Sequence, residues 1–339
     1  MKAITKFPAG SVTANRISFF KGNAIILGNN FTAKIKTDLT SEGAYDFKKF
    51  NKVIASYSTL SNNENDLIFK DADGAKVTMS PTHEILEWEV PEVTGNNSVT
   101  IALQDLREAF EYVAPSISTE LSRQYLNCVY ADFSKNQMVA TDGRKLSLYP
   151  LSFEGIANGG LSIERSAMEY IMAVTEKTME EFVKIAWDDS HIIVTLQECG
   201  IVLNVYNSMG TFPNYNQVIP KENSASFYFF EKDIDKLAKF CKKTAGLNKN
   251  QDIFGVFSFT EKTVNITTEV DEIGNVEFSI PVQKMTGKFD EDMGLNLSFL
   301  YDLLSVTKGR VVIHTGYNAL APVKIETEKG FSLVMPRKL

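Results

Sequence analysis

The sequence predicts an α+β fold made of three repeats of sheet plus helices, the first repeat incomplete. Three observations lead there. The middle and last thirds show one element order: a strand running into a helix, paired strands, a second helix, then further strands. Their second helices share a pattern, MEYIMAVT beside LYDLLSVT, about 130 residues apart. The first third repeats part of this order. Self-similarity of so long a period marks arrays and closed rings. Three unrelated α+β domains would mix strands and helices equally well but would not share their order.

In the first third, RISFFKGNAIILGNNFTAKIKTDL reads as strand–turn–strand. YDFKKFNKVIASYS reads as a helix with Phe47, Phe50, Ile54 and Tyr57 on its core side. DLIFKDADGAKVTMS gives two strands meeting at an Asp-Gly turn, and ILEWEV a further strand. No first helix is expected, because only fifteen residues lead in and they hold Pro8 and Gly10. In the middle third, VTIALQDLREAFEYV runs from strand into helix, with Leu106, Ala109, Phe110 and Val113 on one stripe. The strands LNCVYADF and QMVATDGRKLSLYPL follow. ERSAMEYIMAVTEKT is the second helix, burying Met168, Ile171, Met172 and Thr175, and FVKIAW, HIIVTLQ and IVLNVYN close the unit. The last third runs SASFYFF, helix EKDIDKLAKFCKKTAG, strands around GVFSFT and TVNITTEV, and helix LSFLYDLLSVTKG. RVVIHTG, PVKIETE and FSLVMP complete it. The boundaries so read are residues 1–97, 98–221 and 222–339.

A chain of 339 residues, 44% apolar, can bury more than one core. It has no apolar run long enough to cross a bilayer, and its N-terminus lacks the apolar stretch of a signal peptide. Cys128, Cys199 and Cys241 are odd in number and far apart, which argues against a disulfide framework and for a reducing cytoplasm. The net charge of −7 argues against a protein that simply coats nucleic acid. That excess falls in residues 98–223, with 9 basic against 16 acidic side chains; the flanking segments balance. The lysines of the outer thirds therefore remain available for a basic surface.

The sequence carries little that points to catalysis. His83, His191 and His314 share no local motif with cysteine or acid at metal-ligand spacing. No P-loop, GxGxxG, GxSxG or HExxH occurs, and nothing calls for a cofactor. Asp188–Asp189 and Asp290–Glu291–Asp292 read as solvated turns before they read as a magnesium site. The helix over residues 231–246 is more informative. Ile234, Leu237, Ala238, Cys241 and Ala245 form one stripe; Lys232, Lys236, Lys239 and Lys243 form the opposite one. Lys48, Lys49 and Lys52 likewise face away from Phe47, Phe50 and Ile54. One such helix is an ordinary solvated face. Two in one array suggest a surface that grips phosphates without reading sequence. The middle third offers less: Arg107, Arg165 and Lys177 among several acids.

Three strings point to a family: VATDGRKLSLYPL at 139–151, GTFPNYNQVIP at 210–220 and LVMPRKL at 333–339. In order and spacing they resemble segments of the bacterial DNA polymerase III β subunit, the β sliding clamp; YLN at Tyr125–Asn127 fits as well. The likeness covers residues 98–339 closely and 1–97 by pattern. It implies three DNA-clamp domains per chain, with helices lining the inner face and antiparallel sheets outside. Two chains would close head to tail into a ring. The implied work is that of a cytoplasmic processivity factor in DNA replication, not of an enzyme. It would encircle duplex DNA as a homodimer, independently of sequence, and tether the replicative polymerase, the clamp loader and other proteins with clamp-binding motifs.

The resemblance also implies a partner-peptide groove between the second and third domains. Its matching positions are Leu126, Thr141, Gly143, Arg144, Lys145, Leu146, Pro213, Gln217, Val218, Leu333, Val334, Met335, Pro336, Arg337, Lys338 and Leu339. DNA contacts would fall to Lys48, Lys49, Lys52, Lys232, Lys236, Lys239 and Lys243, and to a loop at Arg123, Gln124 and Tyr125. The family's His-Arg after ATDG is Arg144–Lys145 here, and the tail carries Arg337–Lys338, so a more basic groove is expected. The first domain is about twenty residues and one helix short. That shortening motivates an alternative, a clamp-like adaptor or decoy that binds clamp partners without encircling DNA.

Overall fold

The computed structural model describes residues 2–3, 14–28, 30–176, 178–207, 210–248 and 252–339. Among these residues five α-helices fall where the patterns place them: α1 (Phe47–Ile54), which ends before Tyr57, α2 (Leu103–Val113), α3 (Arg165–Thr175), α4 (Glu231–Ala245) and α5 (Leu297–Leu304). They come in two kinds. α1, α3 and α5 each follow directly on a strand, Gly43–Asp46, Gly160–Glu164 and Met293–Asn296. Each starts on a polar cap: Asp46 accepts from the Lys49 N–H, Glu164 from that of Ser166, and Asn296 from those of Ser298 and Phe299. These are the three second helices of the repeat. α2 and α4 are the first helices, entered from strands Ser98–Ala102 and Ala225–Phe229. The expected absence of a counterpart in the first third concerns residues that lie largely outside the described ones, as does Lys177.

The chain divides into two compact units. The first comprises Met1–Arg107, Ala131–Asn136 and Ser152–Gly210; the second comprises Glu108–Tyr130, Gln137–Leu151 and Thr211–Leu339. The sheets explain the division. In the first unit nine strands run in the order 154–156, 98–102, 182–187, 191–196, 201–206, 31–36, 23–28, 14–20 and 43–46. The join is the antiparallel pairing of Ile201–Tyr206 with Phe31–Lys36, where Ile201 faces Ile35 and Leu203 faces Ala33. One sheet therefore carries strands from both the first and the middle third. In the second unit the run is 137–141, 145–150, 331–334, 323–326, 311–315, 225–229 and 284–287. There Lys145 faces Val334 and Leu146 faces Leu333, which joins the middle third to the last.

Each unit also holds a four-stranded antiparallel sheet. In the first the order is 2–3, 59–63, 66–70 and 76–79; in the second it is 274–281, 263–270, 254–259 and 293–296. Strand Thr263–Val270 alternates strictly, with Val264, Ile266, Thr268 and Val270 inward, as TVNITTEV requires. Aromatic side chains fill the first unit's core around α1: Phe50 lies 6.0 Å from Phe19 and 5.7 Å from Phe69 between ring centres. In the second unit Phe227, Phe229, Leu237, Cys241, Leu300, Leu303 and Val334 belong to one buried cluster.

Three expectations change. The first segment makes three strands, not two: Asn23–Gly28 pairs antiparallel with both Ala14–Phe20 and Phe31–Lys36. ILEWEV joins no sheet; the Leu86 N–H donates to the Ser18 hydroxyl instead of to a ladder, and the segment stays largely exposed. On α3 the buried stripe runs through Met168, Ile171, Val174 and Thr175, leaving Met172 half-exposed.

The acidic turns have structural partners. Asp188 accepts hydrogen bonds from the Thr94 N–H and hydroxyl and from the N–H groups of Ser190 and His191. Those donors, the Thr94 N–H foremost, hold its carboxyl down at about 2, against the opposing effect of partial burial. A depressed carboxyl stabilises the fold above the unfolded value of about 3.9, and that contribution is lost as pH falls towards 2. Asp188→Asn is expected to lower the urea midpoint at pH 7 and to flatten the decline between pH 4 and 2. Equal acid limbs for the two proteins would contradict this. Asp290 pairs with Lys288, Glu291 accepts from the Ala319 N–H, and Asp292 accepts from the Ser258 hydroxyl. No group of three or more His, Cys, Asp or Glu among the described residues could hold a metal ion. Nor is any helix among them long and apolar enough to cross a membrane.

Candidate functional site

The three sequence strings meet within the second unit, and each is shaped by local chemistry. In the first, ATDGRK makes the turn between strands Gln137–Thr141 and Lys145–Pro150. The Asp142 carboxylate accepts from the Arg144 and Lys145 N–H groups at 2.8 Å each, and the Thr141 hydroxyl donates to the Lys145 carbonyl at 2.7 Å. Gly143 sits at φ +87°, in the left-handed region that glycine alone enters freely. The second string is pinned from beneath. Phe212 stacks on Tyr130 at 4.7 Å, and the Tyr215 hydroxyl accepts from the Gln137 side chain. That anchoring turns Pro213, Asn214 and Val218 outward. The third string pairs along Lys145–Leu148, and the Met335 N–H extends the pairing to the Arg144 carbonyl at 2.9 Å.

Between them lies a cleft of about 250 Å³. Leu126, Leu146, Leu333, Pro213, Val218 and Met335 give it apolar walls; Thr141, Gly143, Arg144 and Lys145 form the turn side. Val218 and Met335 are 44% and 40% exposed although both are large and apolar. Exposed hydrophobics beside a concave surface make it a candidate binding site. A methionine there adapts its shape to different occupants.

Ten of the sixteen expected groove residues line this cleft: Leu126, Thr141, Gly143, Arg144, Lys145, Leu146, Pro213, Val218, Leu333 and Met335. Gln217 sits in the short 3-10 turn Tyr215–Gln217 and points to solvent, and Pro336 lies beyond the rim. Val334 belongs to the core, fully buried, because neighbouring residues of a strand face opposite ways. Arg337, Lys338 and Leu339 leave altogether. The Arg337 N–H donates to the Gly294 carbonyl at 2.8 Å, which lays the tail along strand Met293–Asn296. The Arg337 guanidinium rests 4.5 Å from the centre of the Phe254 ring. These three residues line a second cavity of about 290 Å³, shared with Asp252, Glu269 and Asp271.

The structure adds residues that the strings did not single out. Asn214 and Tyr215 line the cleft, and the FPNY spacing could have marked Tyr215 as the anchor beside Phe212. Arg123 and Tyr125, expected on a DNA-contacting loop, also line the cleft; Gln124 beside them is exposed. Arg123 pairs with Glu120 at 3.3 Å and donates to the Asp142 carbonyl at 3.4 Å. The expected basicity is reduced as well. Lys145 is only 6% exposed; its ammonium pairs with Asp302 of α5 and lies 5.2 Å from the centre of the Phe299 ring.

The lysines of α1 and α4 stand where the patterns place them. Lys48, Lys49 and Lys52 are exposed, as are Lys232, Lys236, Lys239 and Lys243. Lys236 is tied to Asp233 at 2.8 Å. The middle third contributes little: Arg107 donates to the Thr175 hydroxyl and Met172 carbonyl at the end of α3, and Arg165 pairs with Glu169.

No family model matches the chain. Among solved structures, the DNA polymerase III beta subunit of Thermotoga maritima superposes with a TM-score of 0.80 at 17% identity, covering 96% of this chain and 91% of that one. The architecture is therefore that of the DNA clamps. In sequence, the Beta sliding clamp of Rickettsia bellii is 26% identical over 257 residues, 71% of this chain and 67% of the relative. The Beta sliding clamp of Helicobacter pylori strain J99 is 22% identical over 284 residues, 76% of this chain and 72% of the relative. The chain is a divergent relative of the bacterial β sliding clamps.

Proposed function

We propose that this chain is a processivity factor: a sliding clamp that encircles duplex DNA as a head-to-tail dimer and tethers a polymerase through the cleft. It is an accessory protein, not an enzyme, and its proposed place is the cytoplasm. The observation that carries the reading is the convergence of three sequence-distant strings on one cleft with exposed apolar walls. A short linear peptide, with apolar anchors between Val218 and Met335, is the natural occupant. The proposed partners are the replicative polymerase, the clamp loader and other proteins bearing such motifs.

Two further features support the ring. The two large sheets join neighbouring thirds of the chain, whereas among the described residues each four-stranded sheet ends in an open edge: Lys76–Met79 in the first unit and Gly274–Pro281 in the second. An unpaired edge is a template for another strand. Pairing these edges between two chains would supply the missing joins and preserve three domains, 1–97, 98–221 and 222–339, in each. The tail already covers the other edge of the second unit's small sheet, at Gly294. The second feature is the exposed lysine face of α1 and α4. Point charges without sequence reading suit a protein that must slide.

The lysines provide a test. Replacing Lys236, Lys239 and Lys243 with alanine is expected to weaken duplex binding uniformly across sequences. Lys236 is already engaged by Asp233, so the slope of log affinity against log salt should fall by about two rather than three. Fluorescence anisotropy at several salt concentrations measures both. An unchanged slope would take α4 out of the DNA surface.

A further inference from the structure

We propose that Asp302 sets the charge preference of the cleft by withholding the Lys145 ammonium, so that the occupant is an apolar peptide with a single acidic side chain. This rests on the peptide-binding reading of the cleft. Three basic residues line it: Arg123, Arg144 and Lys145. Arg123 is paired with Glu120, its side chain half-buried. Lys145 lines the cleft as well, but its ammonium is held by Asp302 of α5 and lies beside the Phe299 ring, neither of which lines the cleft. Among the described residues, only Arg144 of these three has no ionic partner, and it is exposed. One carboxylate on the occupant therefore finds a partner, and a second does not. Asp302 itself lies outside the cleft lining, on the helix that packs against α4. It acts through Lys145 and is a positioning residue. A lysine fixed by a carboxylate offers the cleft its methylenes and little charge.

The test uses the full-length protein and three labelled nine-residue peptides, each with two leucine anchors and carrying zero, one or two aspartates. In the wild type the first aspartate is expected to raise affinity about threefold and the second to add nothing, since a partly exposed charge pair is worth little. Asp302→Asn should leave the uncharged peptide within twofold and let the second aspartate add about another threefold, a gain removed at high salt. Asp302→Glu should restore the wild-type pattern, and Lys145→Met in the Asp302→Asn background should abolish the new gain. A second aspartate that adds nothing in Asp302→Asn would overturn the proposal. So would an equal loss for all three peptides, which would mean that Asp302 merely supports the cleft floor. Binding that survives Val218→Asp, or no binding of any peptide to the wild type, would overturn the cleft reading itself and this proposal with it.

Discussion

Glu277→Pro is expected to turn a dimer of twice 37.9 kDa into a monomer of 37.9 kDa without unfolding it. Hydrogen-bond parity along the edge strand dictates this. The Val282 N–H donates to the Lys262 carbonyl at 2.8 Å, and the register pairs Ile280 with Val264, Phe278 with Ile266 and Val276 with Thr268. The even-numbered residues therefore turn their N–H groups into the sheet. Asn275, Glu277 and Ser279 turn theirs outward along the edge, with exposed side chains. A proline at 277 removes an outward donor and sets its ring where a partner strand would lie, yet breaks no internal ladder bond. It spares Phe278, which stacks on Phe240 of α4 at 4.5 Å. Sedimentation equilibrium of both proteins, with thermal melting as the control for folding, decides the matter. A wild type that stays monomeric at tens of micromolar, or a Glu277→Pro protein that stays dimeric, would contradict edge pairing.

The second large effect is expected at the cleft. Val218→Asp with Met335→Asp should weaken binding of an anchor-bearing peptide at least about 100-fold, because two central apolar contacts each carry about 2 kcal/mol in a well-packed site. Both side chains lie at the surface of the free protein, so its melting temperature should hardly move. Dimerisation and DNA affinity should persist, since neither residue lies on the open edges or the lysine faces. Truncating the tail before Val334 is a poorer experiment. It removes a fully buried side chain that pairs with both Lys145 and Val323, and so damages the core that holds the cleft. Titration calorimetry on the double variant gives the cleaner answer, and retained peptide affinity would remove the cleft assignment.

Much of this was legible in the sequence because it is local. The lysine faces of α1 and α4 follow from helical periodicity, and all seven chosen lysines stand exposed. The cleft's turn follows from Thr141, Asp142 and Gly143, whose side-chain bonds and positive φ close within five residues. The tail is less legible, because contiguous residues need not share one surface. Alternation buried Val334 between Leu333 and Met335, and pairing with Gly294 carried Arg337 away. The loss of the Lys145 charge was invisible for another reason. Its partner Asp302 is 157 residues distant and on a helix whose pattern speaks only of its own buried face. Likewise the joining of thirds into shared sheets depends on the pairing of residues 201–206 with 31–36, which no local pattern encodes.

The central claim is topological, so the direct measurement is retention on DNA of different topology. The protein is incubated with its loader and ATP on a nicked circular plasmid, and on the same plasmid cut once, then separated from free protein by gel filtration in moderate salt. A closed clamp is held on the circle and runs off the linear form. Equal retention on both, or on neither while peptide binding persists, would contradict encirclement and leave a clamp-like adaptor that engages clamp partners away from DNA.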